Sequence, residues 1–140
     1  MDEAKVSEIR QWLIKADHDL RSAERLLTGE PPLLDTAVYH CQQAAEKALK
    51  AYLTMNDIPF LKVHVLGLLI EQCQECDESF RELLDIADML TPYAVVFRYP
   101  GDVIEPEPAD AEQALKSAQM VVDFVLRRMP EEVAGVLKGS

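Results

Sequence analysis

Residues able to do chemistry cluster in three places along this chain. Arg98 follows the apolar run Ala94-Val95-Val96-Phe97 and precedes Tyr99. A guanidinium there can clamp phosphate oxygens through two parallel hydrogen bonds, and the ring beside it can stack on a base. The same Arg can instead cap helix carbonyls or pair with a carboxylate, and Tyr99 can fill a seam between two copies of the chain; the sequence leaves both open. His40 and Lys47 are two helical turns apart with Gln43 between them, so an imidazole, an amide and an ammonium share one strip. Such a strip suits a nucleotide phosphate, but it better suits the polar seam of a helix lying on a partner helix, and it serves both if the ligand cleft is the cleft between two copies. His64 stands beside Lys62 just before an expected helix, where free backbone amides and positive charge favour an anion. A histidine hydrogen-bonded to its own loop is the plainer alternative. If hydrolysis occurs, His40 or His64 is the candidate general base, because His18 lies on a charged face.

Two further patterns invite a reading. Cys73 and Cys76 form a Cys-x-x-Cys pair, with Cys41 and His64 as imaginable extra ligands. A closed structural zinc site needs four ligands and usually a second such pair, so packing is the expected role and no metal or cofactor is assigned. The run Glu71, Glu75, Asp77, Glu78, Glu82, Asp85 and Asp88 reads as a solvated acidic face or as a docking surface for a basic partner.

The elements that must position these groups read as helices. Ile9, Trp12, Leu13, Ala16, Leu20, Ala23, Leu26 and Leu27 recur at three- and four-residue steps, with Gly29, Pro31 and Pro32 as the stop. A second helix is expected from a cap at Asp35 to about Thr54. Its inward stripe of Ala37, Cys41, Ala44, Ala45, Ala48, Leu49 and Tyr52 is small enough for close helix approach. Gln42, Gln43, Glu46, Lys47 and Lys50 form the other face, with Glu46 and Lys50 as a weak pair one turn apart. A short third helix spans about Val65 to Cys76. A fourth runs from a Ser79/Glu82 capping box to Phe97 with a kink at Pro92. Tyr99 to Pro108 reads as a loop. A fifth helix is capped by Asp110, with Gln113 as box partner, and ends at Pro130; residues 131–140 are a tail or frayed turn. The sum is an all-α fold, an antiparallel up-and-down bundle of about five helices over residues 1–130.

Composition agrees and removes several classes of function. There are 14 Lys plus Arg against 25 Asp plus Glu, a net charge of -11, which argues against a non-specific nucleic-acid coat or a basic membrane-surface protein. An apolar share of 49% supports a core, and 5 Gly with 6% aromatics favour helix over many-stranded β structure. The odd number of cysteines, the charged N-terminal stretch and the lack of a long apolar run predict a soluble, cytoplasmic protein.

Residues 37–53, Ala-Val-Tyr-His-Cys-Gln-Gln-Ala-Ala-Glu-Lys-Ala-Leu-Lys-Ala-Tyr-Leu, resemble the signature helix of prokaryotic HEPN domains. Trp12, Ala16, Asp19, Leu20 and Ala23 resemble that family's first helix. Lys62, His64, Leu66 and Leu69 resemble its Lys-x-His-Asp-Leu entry to the third, with Val65 in place of the Asp. Arg98-Tyr99-Pro100 resembles its Arg-Tyr-Pro turn. The resemblance, over about residues 7–129, implies a homodimer with a cleft for nucleotide or RNA and a minimal nucleotidyltransferase as partner in a toxin–antitoxin pair. Many members are metal-independent endoribonucleases with an Arg-x(4–6)-His motif, but no His follows Arg98 at that spacing. The expectation is therefore a binding module using Arg98, Tyr99, His40, Gln43, Lys47, Lys62 and His64. The alternative is a ribonuclease in which His40 or His64 works with Arg98.

Overall fold

A computed structural model describes residues 1–94 and 105–138 of the chain, with side chains through residue 135. Its elements are α1 (Glu3–Thr28), α2 (Leu34–Met55), α3 (Leu66–Gln74), α4 (Leu84–Leu90), α5 (Pro108–Leu126) and α6 (Glu131–Lys138). Two 3-10 turns, Glu78–Leu83 and Thr91–Ala94, flank α4. The all-α bundle expected from the periodicity is present.

The helix ends show where short-range patterns mislead. Asp2 caps α1, its carboxylate accepting the Lys5 amide at 2.8 Å, so the helix starts well before the first apolar residue of the stripe. α2 begins at Leu34, and Asp35 lies inside its first turn, bonding the Thr36 amide at 2.7 Å rather than capping. The Ser79/Glu82 box fails because Asp77 takes the capping place and accepts the Ser79 amide at 3.0 Å. The expected long fourth helix is instead a 3-10 turn, two turns of α-helix and a second 3-10 turn containing Pro92. A proline there removes a donor and crowds the preceding turn, so the α-helical ladder stops at Leu90. Residues 95–97 of the expected helix lie outside the described residues.

α5 also starts earlier than its Asp110/Gln113 pattern suggests. Pro108 occupies the first turn, where its fixed φ and missing N–H cost nothing. Asp110 thereby becomes the box partner, accepting the Glu107 amide at 3.2 Å. Residues 131–138, read as a frayed tail, form α6. Val133 and Ala134 are buried, and the Arg10 guanidinium of α1 donates to the Glu132 carbonyl. Two buried apolar side chains and one strong donor hold a segment that its own propensity would not.

α2 is the central helix, packed against α1, α3 and α5. Its stripe of Ala37, Cys41, Ala44, Ala45, Ala48 and Leu49 is fully buried, which fits the close approach expected from its small side chains. At the far end Tyr52, Phe80 and Phe124 stack in sequence, with ring centroids 4.5 and 4.9 Å apart. Arg128 closes this cluster. Its guanidinium carbon lies 3.4 Å from the centre of the Phe124 ring, and its nitrogens reach Asp77 at 2.8 Å and Ser79 at 2.9 Å. Enlarging the central stripe should be costly: Ala48→Leu adds three carbons where there is no space, with an expected loss of about 1–3 kcal/mol, measured by urea unfolding.

Candidate functional site

α2 is enclosed on several sides, yet the face it turns toward α1 and the loop before α3 is polar. Two carboxylates at that seam are almost completely removed from water: Asp19 of α1 is 7% exposed and Glu46 of α2 is 4% exposed. A buried carboxylate is tolerated only when paired and hydrogen-bonded, and each of these holds one imidazole and one ammonium.

Asp19 Oδ1 lies 2.7 Å from His40 Nδ1, and Asp19 Oδ2 lies 2.6 Å from Lys47 Nζ. Glu46 Oε1 lies 2.9 Å from His64 Nδ1 and accepts the Gln42 amide at 3.1 Å; its Oε2 accepts Lys50 Nζ at 3.0 Å. Gln42 is fully buried and fully used. It donates also to the His64 carbonyl at 3.0 Å, and its own oxygen accepts Gln43 Nε2 at 2.7 Å.

An ionised carboxylate can only accept, so in both pairs Nδ1 carries the hydrogen and Nε2 is the nitrogen left to take a proton or a ligand. The His64 side chain is 52% exposed and that of His40 28%, so both rings reach solvent from carboxylate anchors that do not. Burial alone would push the Glu46 carboxyl upward, but hydrogen bonds from His64, Lys50 and Gln42, with the Lys50 charge, outweigh it. The carboxyl is held below the usual glutamate range. The chemistry available is that of two oriented imidazoles and two anchored ammoniums on one face of an otherwise acidic protein.

The loop that presents His64 is itself fixed. Gln72 of α3 bridges it, accepting the Leu61 amide at 3.0 Å and donating to the Pro59 carbonyl at 3.0 Å. Asp57 adopts the left-handed region at φ 58 and pairs with Lys5 at 2.8 Å. The start of α3 is closed as well: the Leu66 amide donates to Thr91 Oγ1 at 3.1 Å. His64 is held by its Glu46 bond, and the Leu66 amide close after it is already engaged.

The expected residues divide accordingly. His40 and Lys47 come together on Asp19 of the neighbouring helix α1. Gln43 joins through Gln42, and His64 joins through Glu46. Lys62 is exposed and makes no polar contact among the described residues. Arg98 and Tyr99 lie outside the described residues. Asp19, Gln42 and Glu46 were missed as organisers. Asp19 falls three residues after Ala16 and four before Ala23, both fully buried, so its place in the apolar stripe of α1 was the available signal.

The cysteines stay apart in role. Cys41 and Cys73 are buried and Cys76 is exposed; burial, with the Asp19 charge nearby, pushes the Cys41 thiol up to about 12, and burial also raises Cys73. Asp77, read as part of a solvated face, pairs with Arg128, while Glu71, Glu75, Glu78, Glu82, Asp85 and Asp88 are exposed.

The helical fold of the described residues is one that solved proteins share. The crystal structure of TT1696 from Thermus thermophilus matches at a TM-score of 0.75 and 27% identity, covering 86% of this chain and 98% of that one. ST0689, an archaeal HEPN homologue, has the same fold at a TM-score of 0.68 and 24% identity, covering 86% and 96%. The HEPN domain family model matches residues 9–129, and the chain belongs to that family. A protein of Methanocaldococcus jannaschii named "Putative toxin MJ1304" is 33% identical over 129 residues, which span 81% of this chain and 83% of that protein. No described helix is long and apolar enough to cross a membrane.

Because the Glu46 carboxyl is held low, its contribution to stability is present above the usual glutamate range and lost as pH falls through its folded value. In urea titrations Glu46→Gln is expected to be less stable than wild type at neutral pH, and the gap should narrow in the acid limb. A gap constant with pH would contradict the pairing.

Proposed function

We propose that this HEPN protein is a nucleotide- or RNA-binding module of the bacterial and archaeal toxin–antitoxin type. It acts in the cytoplasm as a homodimer and partners a minimal nucleotidyltransferase. The observation that carries the reading is the strip of His40, Lys47 and His64, held on the buried carboxylates of Asp19 and Glu46. The strip's two carboxylates are balanced by Lys47 and Lys50, and protonation of either imidazole makes it cationic, as a phosphate ligand requires. The relative named "Putative toxin MJ1304" supports the setting. Arg98 and Tyr99 are assigned to the same ligand cleft by the family resemblance of their Arg-Tyr-Pro turn.

A second reading has its own support. His64 is half-exposed and oriented through Nδ1 by a carboxylate, the arrangement of a general base, so a metal-independent endoribonuclease using His64 or His40 with Arg98 is its competitor. The absence of a histidine separated from Arg98 by four to six residues favours binding without standard cleavage.

Light scattering is expected to give a mass near twice 15.8 kDa. Labelled single-stranded RNA should bind in a salt-dependent way, with Lys47→Ala and Arg98→Ala each weakening binding severalfold and leaving the RNA intact in EDTA. Cleavage that survives the chelator and disappears in His64→Ala or His40→Ala would establish the ribonuclease instead.

A further inference from the structure

Beside the polar strip, α1 carries a cavity of about 220 Å³ lined by Glu8, Gln11, Trp12 and Lys15. Pockets for drug-sized ligands begin at roughly 300 Å³, so this one has room for a single flat heterocycle and little more. Its wall is the only tryptophan of the chain. Trp12 is half-buried, and its ring is held by Phe60, which meets it edge-on with centroids 5.5 Å apart at 88°. Lys50, the ammonium bound to Glu46, lies 5.8 Å from the Trp12 centroid. One indole therefore borders both the cavity and the strip assigned above to phosphate.

We propose that Trp12 is the stacking platform of a nucleobase subsite. The base enters the cavity against the indole, Gln11 and Glu8 face its hydrogen-bonding edge, and the ribose phosphate lies toward Lys15. A pinned aromatic ring stacks on a base at low entropic cost, and the stacking tolerates any base. An amide offers donor and acceptor, while a carboxylate offers only acceptors, so Glu8 favours a base carrying an exocyclic amino group over uracil. Lys15 supplies the charge that a free base lacks. This assignment rests on the nucleotide- or RNA-binding reading and adds to it a place for the base and for the phosphate next to it.

The lone tryptophan makes the test direct. Adenosine monophosphate and an unlabelled oligoadenylate RNA are each titrated into the full-length protein while Trp12 emission is followed, with ribose 5-phosphate as the base-free control. Saturable quenching by the first two and none by the third is expected, with uridine monophosphate weaker than adenosine monophosphate. Quenching by the oligonucleotide alone assigns the subsite to RNA; quenching by both extends it to free nucleotides. Lys15→Ala should weaken adenosine monophosphate at least about fivefold and leave adenosine nearly unchanged. Binding of a dye-labelled oligoadenylate, read by anisotropy, should weaken about tenfold in Trp12→Leu and much less in Trp12→Phe, which keeps a stacking ring and the contact with Phe60. Gln11→Ala and Glu8→Gln, both on exposed residues, keep the test open if Trp12→Leu fails to fold; both should reduce the preference over uridine. Labelled RNA that binds with silent Trp12 emission and no response to these variants overturns the subsite and leaves the binding reading standing. No binding of any probe overturns both. Emission that follows protein concentration and ignores nucleotide overturns the subsite and places Trp12 in a contact between copies.

Discussion

Burial of two carboxylates, Asp19 on α1 and Glu46 on the central helix α2, constrains much of this molecule. α2 cannot be wholly apolar where it meets α1 and the loop before α3, because each carboxylate carries a desolvation cost that only close positive partners and hydrogen bonds offset. Those partners, His40 with Lys47 and His64 with Lys50, are therefore fixed by the fold. A single arrangement satisfies the protein interior and orients two imidazoles toward solvent. Structure and candidate chemistry are coupled at these two residues: removing either carboxylate would unsettle the packing of α1, α2 and the loop together with the histidines.

The polar strip also accounts for elements that carry no candidate chemistry themselves. Gln72 ties the loop of Pro59 and Leu61 to α3, which keeps His64 within reach of Glu46, and Gln42 holds the His64 carbonyl from the other side. Near the C-terminal end of α2, Arg128 and the Tyr52, Phe80 and Phe124 rings secure the end of α5 against the turn before α4. The small-residue stripe on another face of α2 lets neighbouring helices approach it closely. An up-and-down bundle of short helices could otherwise slide; here polar contacts along one face of α2 and aromatic contacts near its C-terminus set the register.

Much of the fold was legible in the residues alone. Three- and four-residue spacing placed α1, α2, α3 and α5, and the alanine stripe marked α2 as the helix others approach. Errors arose at ends, where Asp2, Asp77 and Pro108 decide the first turn through one hydrogen bond or one fixed dihedral, and where similar side chains at Asp35, Ser79 and Asp110 compete for the same role. α6 was illegible because eight residues gain their helix from Val133, Ala134 and the Arg10 contact, which sequence spacing does not reveal.

By itself the sequence determined that the chain is a helical bundle, that its charge is wrong for a nucleic-acid coat, and that His40, Gln43 and Lys47 lie on one strip, since helical periodicity is a local property. Only the tertiary structure decided what that strip faces. Asp19 is 21 positions from His40 in sequence and Glu46 is 18 from His64, and the choice between a solvated carboxylate and a buried anchor depends on which helices cover it. Burial is set by packing between segments distant in the chain, so the same Glu46 that reads as half of a weak surface pair becomes the buried carboxylate that holds His64 in place.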